Sequence, residues 1–136
     1  DEQVRRVEAD TDAAIETVVS SVPLSTATRA VAVAGTATTL AAAALGLETY
    51  DSEAINGTSL SLETVQRTAQ MLRSMTRQER AELGYMHPGR ADVIGAGATI
   101  YARIMTRLRE ITEGNIDSVT VSEHDILDGI ALSQVR

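Results

Sequence analysis

Apolar residues at Val4, Val7, Ala14, Ile15, Val18 and Val19 recur at helical spacing, and Pro23 closes the segment, so residues 2–21 are expected to form an amphipathic helix. Arg29-Ala-Val-Ala-Val-Ala-Gly35 follows as a short unbroken run of small and β-branched residues, the pattern of a buried strand. Thr36 to Leu45 is rich in Ala and Leu and meets Gly46, which predicts a second helix stopped by its glycine. A short strand is expected between Ile55 and Leu60. Ser61 then stands where an N-cap should, ahead of Leu62, Val65, Ala69 and Leu72. Thr76-Arg-Gln-Glu79 is a capping-box pattern and starts a further short helix. Tyr85 to Gly89 reads as a loop from its Pro-Gly pair, and Arg90 to Arg109 as the longest helix. Val119-Thr-Val121 predicts a strand, with Ser122 capping a last helix through Leu132.

The order is therefore helix, strand, helix, short strand, three helices, strand, helix. So few short strands make a poor sheet alone. The expectation is a single α/β layer that lacks strands supplied elsewhere, with the strands at Val31–Ala34 and Val119–Val121 paired in one sheet. An edge of that sheet should be exposed, or covered by a partner or a second copy of the chain in a homodimer.

Composition narrows the chemistry. The 136 residues suit about one domain, and an apolar fraction of 43% argues against disorder throughout. There is no Cys, which removes disulfides and thiolate chemistry, and every one of the 12 basic residues is Arg. The apolar stretch Val31 to Leu47 is mostly Ala, broken by Gly and Thr, too weak for a membrane span. An acidic opening offers no signal peptide, so a cytoplasmic protein is the expectation, and a start at Asp1 suggests processing or a cut chain. A net charge of −7 speaks against DNA binding. Charge is unevenly placed, however: residues 110–128 carry six acids and no Arg, whereas residues 67–90 carry five Arg against Glu79 and Glu82. A local cationic region of this kind marks either a solvated helix face or an anion site.

Three segments carry candidate chemistry. Val31 to Thr39 runs from strand through Gly35 into a helix N-terminus, where free N–H groups, the helix dipole and Thr hydroxyls can meet a phosphate. It lacks the Lys or further glycines of the common nucleotide loops, and a plain tight turn remains the alternative. Arg90 follows Pro88-Gly89 at an expected helix start, an end that disfavours a cation, so it should answer either an anion or a carboxylate such as Asp92. Gly95-Ala-Gly-Ala98 reads as a small-residue stretch for close helix packing, and His87 as a loop residue. No Ser-His-Asp set and no carboxylate pair supplies a catalytic base.

Taken in order, Val33-Ala-Gly-Thr-Ala-Thr38, Leu45-Gly-Leu47 with Tyr50-Asp51, Gly57 with Leu60-Ser61, Glu79-Arg80, Pro88-Gly-Arg-Ala-Asp-Val-Ile94 with Gly97, and Val121-Ser122 with Asp128-Gly129 resemble the C-terminal half of the exopolyphosphatase / guanosine pentaphosphate phosphohydrolase family. The likeness runs from about residue 29 to residue 132. It implies a partial actin-like ATPase (ribonuclease H-like) domain, residues 1–136 being the second domain of a two-domain phosphatase, truncated on its N-terminal side. The catalytic Glu and a glycine-rich phosphate loop would then lie upstream, in the missing N-terminal domain and just ahead of Asp1. By the same resemblance Gly35, Thr36, Ala37 and Thr38 form the loop facing the interdomain cleft. Arg90 contacts a substrate phosphate, and the Gly95–Ala98 helix lies at the hinge. The implied substrate is polyphosphate, with guanosine pentaphosphate or a non-catalytic sensor of the same fold as alternatives, and Mg²⁺ is the implied cofactor. This fragment alone is expected to be inactive. One position departs from the pattern: many relatives carry His before the glycine at 57, where this chain has Asn56.

Overall fold

The computed structural model describes residues 1–135. Helix α1 (Glu2–Val19) is capped by Asp1, whose carboxylate accepts the Gln3 N–H. Strand β1 (Val31–Ala32) leads directly into α2 (Ala34–Leu45), which ends on Gly46 in the left-handed conformation, φ 66°. Helix α3 (Ser52–Ile55), strand β2 (Ser59–Ser61), α4 (Leu62–Ser74) and α5 (Arg77–Ala81) follow. Then come α6 (Ile94–Ile111), β3 (Ser118–Val121) and α7 (Ile126–Ser133).

The sheet has three strands in the order β1-β3-β2. β1 and β3 run parallel with Val31 opposite Thr120, as the sequence led us to expect, and β2 lies antiparallel on the other side with Leu60 opposite Val119. Along β3, Val119 and Val121 are buried while Ser118 and Thr120 are half-exposed, so one face of the sheet meets the core. That core joins Leu40 of α2, Ile55 of α3, Val65 and Leu72 of α4, and Ile94 of α6 to the two β3 valines. Each of these large side chains, fully buried, contributes roughly 2 kcal/mol. The β1 edge is open, with Val31 and Val33 exposed. Helix α7 is open as well: Ile126, Leu127, Ile130 and Leu132 are all exposed. Among the described residues no helix is long and apolar enough to cross a membrane.

Several caps match their sequence signatures. The Ser61 hydroxyl accepts the Thr64 N–H at the start of α4, and Thr76 with Glu79 forms the full capping box of α5. Four expectations need correction. β1 is two residues long, not seven, because the chain turns at Ala34 into a left-handed backbone (φ 68°) and begins α2 there. Helix α3 is an addition, nucleated by the Asp51 carboxylate, which accepts the Glu53 and Ala54 N–H groups. The cap of α7 is Asp125 and not Ser122: Asp125 accepts the Leu127 N–H while Asp128 accepts the Asp125 N–H. Ser122 instead closes a local turn on His124. Finally, α6 begins at Ile94 and not at Arg90, since Pro88–Arg90 forms a separate 3-10 turn, capped by His87 Nδ1 accepting the Gly89 N–H at 3.1 Å.

Candidate anion site at the start of helix α2

The later start of α6 changes the argument about Arg90. It does not stand on the N-terminal turn of its own helix, so that dipole does not act on it as the sequence suggested. Its guanidinium lies instead on Gly35, at the N-terminus of α2, so closely that a Cβ added at Gly35 would overlap it. Glycine is required at this contact. The carboxylate alternative also fails: Asp92 pairs with Arg77, and among the described residues Arg90 has no ion-pair partner. A half-buried cation thus rests against the positive end of a helix.

The helix end is itself unsatisfied. Val33 occupies the N-cap position and makes no side-chain cap bond. An ordinary cap would be Ser, Thr, Asp or Asn, whose oxygen accepts a first-turn N–H. The threonines do not substitute for it. Thr39 and Thr38 donate their hydroxyls back to the Gly35 carbonyl, at 2.7 and 3.4 Å, and Thr36 packs with its Oγ1 3.1 Å from where a Gly97 Cβ would stand. Ala37 and Thr38 have buried side chains. What this turn offers outward is its backbone N–H groups, joined by the Arg90 guanidinium. Those are the components of an anion site.

Two further loops shape its surroundings. Gly84 sits against the Glu48 carbonyl, where a Cβ would clash, and this brings the 84–90 segment alongside Tyr50. Tyr50, Gly84, Tyr85, Met86, His87 and Arg90 enclose a cavity of about 270 Å³. The Tyr50 hydroxyl donates to the Glu123 carboxylate, and the Glu123 N–H donates to Asn56 Oδ1 at 3.0 Å. Burial, with the Glu123 hydrogen bond second, raises the Tyr50 pKa above its ordinary value, while the Thr38 hydroxyl and the Arg90 charge pull it the other way. Sequence reasoning missed Tyr50 and Glu123, 73 positions apart. Tyr50 stands in the Tyr50-Asp51 motif, whereas Glu123 lies just past Val121-Ser122 and carries no signal of its own.

The Gly95–Ala98 stretch performs the packing read from the sequence. Gly95 is buried, the position of its Cβ lying 3.7 Å from the Arg73 Cα of α4, and Gly97 faces Thr36 of α2. His87 is a loop cap, and among the described residues no three His, Asp or Glu side chains gather where they could hold a metal ion.

Comparison with known proteins places this geometry in context. The sequence model of the Ppx/GppA phosphatase family matches residues 1–134. Exopolyphosphatase 2 of Mycobacterium tuberculosis, in two strains, is 48% identical over 119 residues, covering 88% of this chain and 37% of that protein. The chain thus spans little more than a third of the curated relatives it matches. Among solved structures, an exopolyphosphatase-like protein superposes with a TM-score of 0.92 at 38% identity, over 96% of this chain and 42% of its own. A Ppx/GppA phosphatase of Aquifex aeolicus, in its type II variant, shares the fold at a TM-score of 0.73 and 24% identity, over 100% of this chain and 42% of its own.

Proposed function

The chain belongs to the Ppx/GppA phosphatase family, and on that premise we propose that it forms the second, actin-like domain of a two-domain exopolyphosphatase. The reaction is hydrolysis of the terminal phosphoanhydride of polyphosphate: a water oxygen bonds to the terminal phosphorus and the bridging P–O bond breaks. One observation carries this reading. The Arg90 guanidinium, with no ion-pair partner among the described residues, rests on Gly35 at a helix N-terminus that no side chain caps. The first-turn backbone of Gly35 to Thr38 and the Arg90 fork together hold a substrate phosphate.

Phosphoryl transfer asks mainly for positioning and charge stabilisation. This chain supplies both from one wall of a cleft, with backbone dipoles fixed before substrate arrives. The catalytic Glu and the glycine-rich loop implied by the resemblance belong to the remainder of the protein, which by itself makes this fragment inactive. The open β1 edge, the exposed α7 face and the 37% coverage of the curated relatives support a domain that is completed elsewhere. Mg²⁺ does not suit the residues gathered at α2. They are N–H donors and a guanidinium, a set that attracts anions and repels cations.

The test uses the full-length protein that contains this chain. Arg90→Ala should lower kcat/KM for phosphate release from polyphosphate about 100-fold, with the melting temperature within about 2 °C of wild type. Arg90→Lys should fall between, since Lys keeps the charge and loses the bidentate fork. A lower melting temperature with unchanged kinetics would make Arg90 structural and end the phosphate role. Faster turnover of guanosine pentaphosphate than of polyphosphate by the wild type would overturn the choice of substrate.

A further inference from the structure

We propose that Tyr50 is a positioning residue that keeps Arg90 free for phosphate by occupying the carboxylate of Glu123. The inference rests on the phosphate role just proposed for Arg90. Two opposite charges, Glu123 and Arg90, bear on a single phenol oxygen, the first through a direct hydrogen bond and the second through its field. Arg90 lines the same cavity as the Tyr50 ring, and unlike charges that share a neighbour tend to pair with each other. They do not do so here. The Tyr50 hydroxyl is spent on Glu123, and Arg90 is left without an ion pair among the described residues.

Two features hold this arrangement. From the main chain, Asn56 Oδ1 accepts the Glu123 N–H at 3.0 Å, which fixes the loop after β3 against the turn between α3 and β2. From the side chain, the phenol carries its proton at neutral pH, as tyrosine ordinarily does, and the hydrogen bond it donates to Glu123 holds that carboxylate in place. The tyrosine ring meanwhile lines the cavity of about 270 Å³ that Arg90 also lines. Tyr50 therefore stands at the site without having a proton to offer a phosphate. Its effect on substrate passes through Arg90.

This makes an unusual prediction: the harm done by removing the hydroxyl should be repaired by removing the carboxylate. In the full-length enzyme, Tyr50→Phe leaves the ring and frees Glu123 to pair with Arg90. KM for polyphosphate should rise about fivefold, the cost of displacing a partly exposed ion pair, with kcat within about twofold of wild type. Glu123→Gln alone keeps an acceptor for Tyr50 and should leave KM within about twofold. The Tyr50→Phe/Glu123→Gln double variant should return KM to that same range. If Tyr50→Phe leaves KM unchanged, or if the double variant is as impaired as Tyr50→Phe alone, the inference is wrong. Arg90→Ala, measured alongside, separates the two levels. If it has no kinetic effect, the phosphate reading fails; if it does and Tyr50→Phe does not, only the positioning role of Tyr50 fails.

Discussion

The two arginines of α6 that face α1 and the arginine just ahead of that helix end in different company. On the α1 side, Arg103 makes two hydrogen bonds to Asp12, at 2.7 and 2.6 Å, while Arg107 meets Glu16 at 2.5 Å and Glu110 at 2.6 Å. Each charge is answered by residues of this chain, and the pairing fastens α1 to α6. On the α2 side, Arg90 lies on Gly35 with no carboxylate, beside a helix end without a cap and an alanine in a left-handed backbone. The first arrangement answers its charges from within the chain, with only the buried Arg107 Nε left without a hydrogen bond among the described residues. The second gathers positive potential, a helix end without a side-chain cap and backbone strain in one place, at a cost the remaining packing must offset. A guanidinium without an ion pair among the described residues says little by itself, since Arg80 also lies against a glycine, Gly95, without one; what sets Arg90 apart is the uncapped helix end beside it.

The sharpest way to break this contrast is Gly35→Ala. Its new Cβ would occupy the space of the Arg90 guanidinium. Because that group ends a flexible side chain, it can swing aside at little energetic cost, and Ala is about 1 kcal/mol better than Gly within a helix. Stability should hold or rise slightly, while kcat/KM for polyphosphate falls about 100-fold, as for Arg90→Ala. Activity assays and thermal melts on the full-length enzyme check both halves. Unchanged activity would mean that the seating of Arg90 on Gly35 does not matter.

Much of this contrast was legible before any coordinates. The strand–glycine–helix junction at 31–38 and the need of Arg90 for an anion or a carboxylate are legible in local pattern, since strands, caps and breakers are encoded over a few residues. The pairing of β1 with β3 was expected, but not the exposure of Val31 and Val33: the sequence reads 29–35 as a buried strand, whereas β1 stands at the open edge of the sheet. What could not be read was long-range. Gly84 on Glu48, Tyr50 on Glu123 and Asp12 on Arg103 join positions 36, 73 and 91 apart, and nothing in local spacing specifies them. Arg90 shows the cost of local reasoning. The sequence argument for Arg90 invokes the dipole of the wrong helix: an early 3-10 turn detaches Arg90 from α6 and delivers it to α2. The α7 cap was misplaced for a similar reason, because Ser122 and Asp125 both suit an N-cap and only the backbone path decides between them.

A smaller effect is expected on the satisfied side. Asp12→Ala should lower stability by about 1 kcal/mol, the upper end for a partly exposed pair, and leave KM for polyphosphate unchanged. Hydrogen bonding from Arg103, with the charges of Arg103 and Arg107 adding to it, holds the Asp12 carboxyl below its ordinary pKa. The sign follows from linkage. A carboxylate with a depressed folded pKa contributes stability that is fully present above the unfolded value of about 3.9 and is lost as pH falls through the folded one. Asp12→Asn should therefore flatten the acid limb of the stability curve below about pH 4, measured by denaturant unfolding at a series of pH values. An acid limb that superposes on wild type would remove Asp12 from the account of α1–α6 docking.

The smallest effect should run in the opposite direction, at Ala34. Its φ of 68° lies in the left-handed region, where an L side chain costs roughly 1–2 kcal/mol, and its exposed methyl gains little from packing. Glycine accepts this backbone without steric strain, though it gives up about 0.5–1 kcal/mol in chain entropy. Ala34→Gly should thus raise stability by roughly 0.5 kcal/mol, where a glycine in most helices lowers it. The gain carries a consequence for the site. Ala34 opens the turn on which Gly35 and the α2 N–H groups are presented, so a freer backbone there should hold phosphate less firmly, and KM should rise even as the protein becomes more stable. Opposite movements of the two quantities, read from denaturant unfolding and initial rates on one preparation, would tie the strain to the anion site. A loss of stability would show instead that the Ala34 methyl is needed for the turn itself.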